Sequence, residues 1–90
     1  MEKISRRVVI KGRVQGVMFR ASCAQEAKRE NVTGYAKNLP DGSVEVLLEG
    51  DAEAIEKVLS WCQHGPASAR VENVETHDVP ASNNTDFTVL

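Results

Sequence analysis

Nine consecutive residues, Gly-Arg-Val-Gln-Gly-Val-Met-Phe-Arg from Gly12 to Arg20, hold the side chains and spacing best suited to chemistry. Two glycines sit in a loop that follows a strand-like run. A helix-like run then opens, with an arginine in its first turn. This arrangement suits a phosphate. Consecutive main-chain N–H groups of a glycine-containing loop can converge on one anion, and unpaired N–H groups at a helix start carry partial positive charge. The Arg20 guanidinium adds a fixed charge and a planar fork of donors matched to phosphate oxygens. The helix dipole disfavours a cation at a helix start, so this placement calls for an anion. No His, Asp or Glu lies in the stretch, and its chemistry is therefore binding and charge stabilisation rather than proton transfer.

The elements that position these residues are legible from periodicity. Arg6 to Arg13 reads as a strand centred on the β-branched Val8, Val9 and Ile10. Phe19 to about Asn31 reads as a helix, with Phe19, Cys23 and Ala27 at four-residue spacing and Ala24 beside them. Val32 to Asn38 is a second strand, and Leu39-Pro40-Asp41-Gly42 a turn. Ser43 to Glu49 is a third strand whose alternation predicts one face on the core and a mostly polar face in water. Asp51 is an N-cap candidate for a second helix, striped by Ile55, Val58, Leu59 and Cys62 and stopped by Gly65-Pro66. Val71 to Val79 is a fourth strand, Ala81 to Asp86 a polar loop, and Phe87 to Leu90 a terminal strand.

The order β-α-β-β-α-β plus a short fifth strand predicts an α+β sandwich of ferredoxin-like type. Both amphipathic helices then cover one face of a single sheet. The first helix connects strands one and two, which therefore run in the same direction and end on the same sheet edge. With strand three between them, those ends lie about 10 Å apart, two spacings of roughly 4.8 Å. Arg20, after strand one, and Asn38, at the end of strand two, become neighbours of one pocket.

Composition narrows the function classes. A chain of 90 residues accommodates one domain, residues 1–90, burying roughly 60–70% of its unfolded surface. Net charge is −2 and both signs are interspersed, with only four aromatic residues for stacking; nucleic acid is not the expected partner. The start lacks an apolar core for a signal peptide, and no segment approaches the roughly 18 apolar residues of a membrane span. A cytoplasmic chain with no membrane partner is expected. Cys23 and Cys62 form no CxxC pair and have no nearby His, so they read as free, packed thiols rather than metal ligands. A disulfide between them would require the two helices to lie side by side.

The segment GRVQGVMFR resembles the G-x-V-Q-G-V-x-[FY]-R pattern of acylphosphatases. GYAKNLPDGSVEVLLEG, from Gly34 to Gly50, resembles their second pattern, in which an Asn ends a strand and a Gly turn leads to the next. The WCQHGP ending of the second helix is also similar. The resemblance spans nearly the whole chain and implies hydrolysis of acyl phosphates to a carboxylate and inorganic phosphate; because the sequence shows no metal-ligand cluster, a metal-independent enzyme without cofactor is expected, and a monomer. It implies that Arg20 binds the phosphoryl group with main-chain N–H groups of Gln15, Gly16, Val17, Met18 and Phe19, and that Asn38 positions the attacking water. Inorganic phosphate is then both product and competitive inhibitor.

Other residues read as structural. Val17 and Phe19 are packing side chains, Gln15 contributes through its main chain, and Arg13 and Lys37 are solvated. His64 sits favourably near a helix C-terminus, His77 is an ordinary strand residue, and Trp61 is core or partly buried cover. The alternative to an enzyme is a non-catalytic module binding a small anion or acyl phosphate through the same loop, since fold does not decide function.

Overall fold

The computed structural model describes residues 3–90. Strand β1 spans Lys3–Arg13, helix α1 Phe19–Arg29, β2 Thr33–Asn38, β3 Val44–Asp51, helix α2 Ala52–Cys62, β4 Arg70–Asp78 and β5 Phe87–Val89. The sheet order is β4-β1-β3-β2-β5. β3 is antiparallel to both β1 and β2, so β1 and β2 run in the same direction and flank it. β5 extends β2 in parallel. The order and class match those read from periodicity.

One sheet face carries Val8, Ile10, Ala36, Val44, Val46 and Leu48, all fully buried. Register explains the grouping: Val8 pairs with Val46 and Ile10 with Val44 across β1–β3, and Ala36 pairs with Val46 across β2–β3. The apolar stripes of both helices close over this face in a single core, Cys23, Ala24 and Ala27 from α1 and Ile55, Val58, Leu59 and Cys62 from α2. The small residues of α1 let its backbone approach the sheet. Cys23 and Cys62 are free thiols buried in that core; contact with Cys23 and burial push the Cys62 thiol well above its usual range.

Helix ends follow local chemistry. Asn31, at φ 59°, closes α1 in a Schellman arrangement, Val32 N–H donating to Ala27 O at 2.8 Å and Asn31 N–H to Lys28 O at 3.2 Å. Asp51 occupies the N-cap of α2 in extended conformation but makes no side-chain cap bond. β1 begins three residues before the predicted Arg6 because Lys3, Ile4 and Ser5 continue the ladder with Asp51, Gly50 and Glu49.

The second face of β3 departs from the expectation of a polar face in water. Glu45 is 9% exposed, Leu47 7% and Glu49 0%. A central strand is overshadowed by its neighbours' side chains. Tyr35 donates its hydroxyl to Glu45 at 2.7 Å, Arg7 Nη1 lies 3.3 Å from it and Lys37 Nζ 3.6 Å. Burial alone would raise the Glu45 carboxyl, but these three partners hold it below its usual range. The Tyr35 phenol, half-buried and beside that carboxylate, is pushed up to about 12.

Candidate functional site

The β1–α1 loop is built from alternating anchors. Val14 and Val17 are buried, while Gly16 and Met18 between and after them face outward. Gly16 (φ 73°) and Met18 (φ 65°) both take the left-handed conformation, which turns the chain sharply at each. A Cβ at Gly16 would meet nothing within 4 Å, so glycine is favoured there by backbone conformation and not by space. Ser68 fixes the loop from one side, its hydroxyl donating to Val17 O at 3.1 Å. On the other side Gln15 links it to the β2–β3 turn, its Nε2 donating to Leu39 O at 2.8 Å and Ser43 O at 2.9 Å.

Met18 is the N-cap of α1 and offers no side-chain cap bond. The first α1 bond beginning at that cap runs from Ser22 N–H to Met18 O, 3.0 Å. The N–H groups of Phe19, Arg20 and Ala21 are thus left without intrahelical acceptors, and no acidic residue lies in the first turn. This helix start is an uncompensated positive pole. Phe19 does not reach outward; it is buried and packs on Trp61, ring centroids 5.2 Å apart. The packing roles read for Val17 and Phe19 therefore hold for their side chains, and Trp61 is partly buried cover.

Arg20 is half-buried on the second residue of α1. Its Nη1 donates to the main-chain oxygen of Leu90, whose own N–H donates to Ala36 O at 2.9 Å. The end of the last strand thereby ties Arg20 to β2, two residues before Asn38. Asn38 closes β2 opposite Val44 and is exposed, with no side-chain hydrogen bond among the described residues. The turn after it is stiffened by Asp41, whose Oδ1 accepts the Ser43 hydroxyl at 2.5 Å and the Ser43 N–H at 3.0 Å. These two bonds, the hydroxyl first, lower the Asp41 carboxyl from its usual range.

The topology therefore brings the loop, Arg20 and Asn38 to one end of the sheet. The sequence reading missed two links there: the forked Gln15 amide and the Leu90 bridge. Neither has a signal in residue spacing, because each joins segments that are distant in the chain. Of the residues read as solvated, Lys37 is half-buried, near Glu45 and 5.6 Å from the Tyr35 ring centroid. His64 Nδ1 lies 3.0 Å from Gly65 O, and His77 is 3.9 Å from Glu75; neither side chain bonds to the loop among the described residues. No group of three or more His, Cys, Asp or Glu side chains that could hold a metal occurs among the described residues.

Comparison with known proteins points to one family. The family model described as Acylphosphatase matches residues 6–89. The chain is 51% identical over 76 residues to an acylphosphatase of Rubrobacter xylanophilus, covering 84% of this chain and 69% of that protein. It is 45% identical over 84 residues to one of Methylococcus capsulatus, covering 92% and 91%. The structure of an acylphosphatase from Coxiella burnetii superposes with a TM-score of 0.94 at 34% identity, covering 98% of this chain and 93% of that one.

Proposed function

The chain belongs to the acylphosphatase family, and from that premise we propose that it hydrolyses the carboxyl–phosphate bond of acyl phosphates, with Arg20 and the 15–20 loop holding the phosphoryl group and Asn38 orienting water. One observation carries the site assignment: the N–H groups of Phe19, Arg20 and Ala21 at the start of α1 lack intrahelical acceptors, at the sheet end that also carries Asn38.

In this reading the phosphoryl oxygens accept from main-chain N–H groups of the loop and from the Arg20 guanidinium. Val17 and Phe19 contribute through their main chain, since their side chains are buried. The Asn38 amide accepts a hydrogen bond from water through its oxygen and donates to a phosphoryl oxygen through its nitrogen. Water oxygen attacks phosphorus while the bond from phosphorus to the carboxyl oxygen breaks. The carboxylate leaves with the bonding pair, and the water's proton passes to a phosphoryl oxygen.

A carboxylate leaves readily, so no strong general acid is needed. The transition state for phosphoryl transfer is loose, and positioning with charge stabilisation supplies most of the catalysis. Such a mechanism asks for no metal, cofactor or second subunit, and we assign the chain as a monomeric, metal-independent, cytoplasmic enzyme.

The test is turnover of a simple aromatic acyl phosphate with and without excess chelator, and with inorganic phosphate added. Turnover unaffected by chelator and competitive inhibition by phosphate support the reading. Binding of phosphate without turnover would leave the non-catalytic anion module. Activity lost in chelator and restored by a divalent cation would overturn the metal-free mechanism.

A further inference from the structure

We propose that the Gln15 side chain is a positioning residue that sets Asn38 relative to the phosphate-holding loop; the proposal rests on the reading of the site given above. Its Nε2 donates at 2.8 Å to Leu39 O and at 2.9 Å to Ser43 O. Both partners are carbonyls and accept only, so chemistry fixes which end of the amide points at them. The amide nitrogen has two hydrogens, and each finds one acceptor.

The two carbonyls are not arbitrary. Leu39 O also accepts the Gly42 N–H at 3.1 Å, and Ser43 O accepts the Leu39 N–H at 2.8 Å. They are the closing groups of the β2–β3 turn, and Gln15 takes the second lone pair of each. Leu39 directly follows Asn38, and Ser43 directly precedes Val44, the cross-strand partner of Asn38. One side chain thus grips both arms of the hairpin one residue beyond Asn38. Its own main chain adjoins Gly16, in the loop that faces the phosphate.

Asn38 has no side-chain hydrogen bond of its own among the described residues, and it is exposed. Its placement depends on the hairpin that carries it. The Asp41–Ser43 bonds hold the shape of that turn, but they do not connect it to the loop. Gln15 makes that connection over 24 and 28 residues of chain. A misplacement of about 1 Å can cost roughly 10²-fold in rate, and the loop keeps its buried Val14 and Val17 and its Ser68 bond without Gln15, so this strap acts on turnover rather than on anion affinity.

The test is a double-mutant cycle with an aromatic acyl phosphate. Gln15→Leu keeps the approximate size and removes both donors. It is expected to lower kcat roughly 10–100-fold while the inhibition constant for inorganic phosphate changes less than about three-fold. In an Asn38→Ala background the same change should add less than about three-fold, because the group being positioned is gone. Additive losses, an unchanged kcat, or equal losses in phosphate affinity and kcat would overturn the proposal. Thermal unfolding verifies that each variant is folded, and Gln15→Glu, of the same shape but opposing the two carbonyls at neutral pH, enters the cycle if Gln15→Leu is not. An inactive parent would defeat the functional reading and not this one. The Asn38 side-chain amide resonances then report directly: displaced or broadened in the folded Gln15 variant they support the strap, unmoved they overturn it.

Discussion

The Glu49 carboxylate accepts the main-chain N–H of Ser82 at 2.6 Å, 33 residues along the chain. Its other oxygen accepts the Asn84 N–H at 2.8 Å, so the 79–86 segment folds back over the far end of β3. Burial alone would raise this carboxyl, but the main-chain donors of Ser82, Asn84 and Asn83, with the Lys3 charge, hold it below its usual range.

A depressed folded-state value means that the unfolded chain binds the proton more readily. The Glu49 contribution is therefore complete at neutral pH and lost as pH falls through and below the ordinary value of 4.5. Glu49→Gln keeps one acceptor and places an amide against N–H donors. It should cost about 1–3 kcal/mol at pH 7, with Tm falling by ~4–8 °C for each kcal/mol. The gap from the parent should narrow at acid pH. Thermal unfolding of both proteins at pH 7 and at low pH checks this, and a gap independent of pH would rule out the carboxylate as the source.

The same residue shows where sequence reading succeeds and where it stops. Element order, helix stripes and the αL stop at Gly65 were legible because each follows from local periodicity or backbone chemistry. That β1 and β2 end on the same sheet edge was legible because two parallel strands with one between them leave little choice. The burial of Glu45 and Glu49 was not. Alternation along Val44 to Glu49 identifies two faces, but only the flanking Arg7, Tyr35 and Lys37, and the 79–86 segment above, determine that the second face is dry. The Gln15 and Leu90 links were invisible for a related reason. A side-chain bond to a carbonyl depends on backbone position, and any residue type can supply the carbonyl.

Gly65 connects the end of α2 to the start of α1. It has φ 66°, and a Cβ there would lie 2.5 Å from Phe19 Cε2. Gly65→Ala meets both a left-handed backbone and an aromatic ring that begins the phosphate-side helix. We expect a loss of about 1–3 kcal/mol, larger than at the open Gly16, where only the conformational part applies. Denaturant unfolding of Gly65→Ala and Gly16→Ala compares them. Gly16→Ala should instead fall more in phosphate affinity than in stability, and the reverse ranking would mean that the Phe19 contact yields easily.

Arg20→Ala removes the one charged side chain assigned to the phosphoryl group. Turnover should fall by at least about 10²–10³, and the inhibition constant for inorganic phosphate should rise with it. The Leu90 main-chain oxygen also loses its donor, but that contact is at the surface and should cost little stability. Arg20→Lys keeps charge without the planar fork and should recover binding better than rate. Kinetics with phosphate as inhibitor separate the two. Parent-like phosphate affinity in Arg20→Ala would place the anion elsewhere.

Asn38→Ala tests the water-orienting role alone. The side chain is exposed and unbonded among the described residues, so its removal should leave Tm within about 2 °C of the parent. Phosphate is assigned to the loop and Arg20, so the inhibition constant should change only a few-fold. The rate should fall by about 10²–10³, roughly 3–4 kcal/mol, because one preorganised polar contact with the attacking water is lost only where charge is redistributed. Asn38→Asp keeps the acceptor for the water but replaces the donor with a negative charge facing the phosphoryl oxygens. It should lose rate as well, and more steeply as pH rises through the carboxylate range and the side chain ionises. Steady-state kinetics of both variants across pH, alongside phosphate inhibition and thermal unfolding, provide the comparison. A folded Asn38→Ala that turns over near the parent rate would show that the water is oriented by another group, with the loop and Arg20 sufficient for the rest.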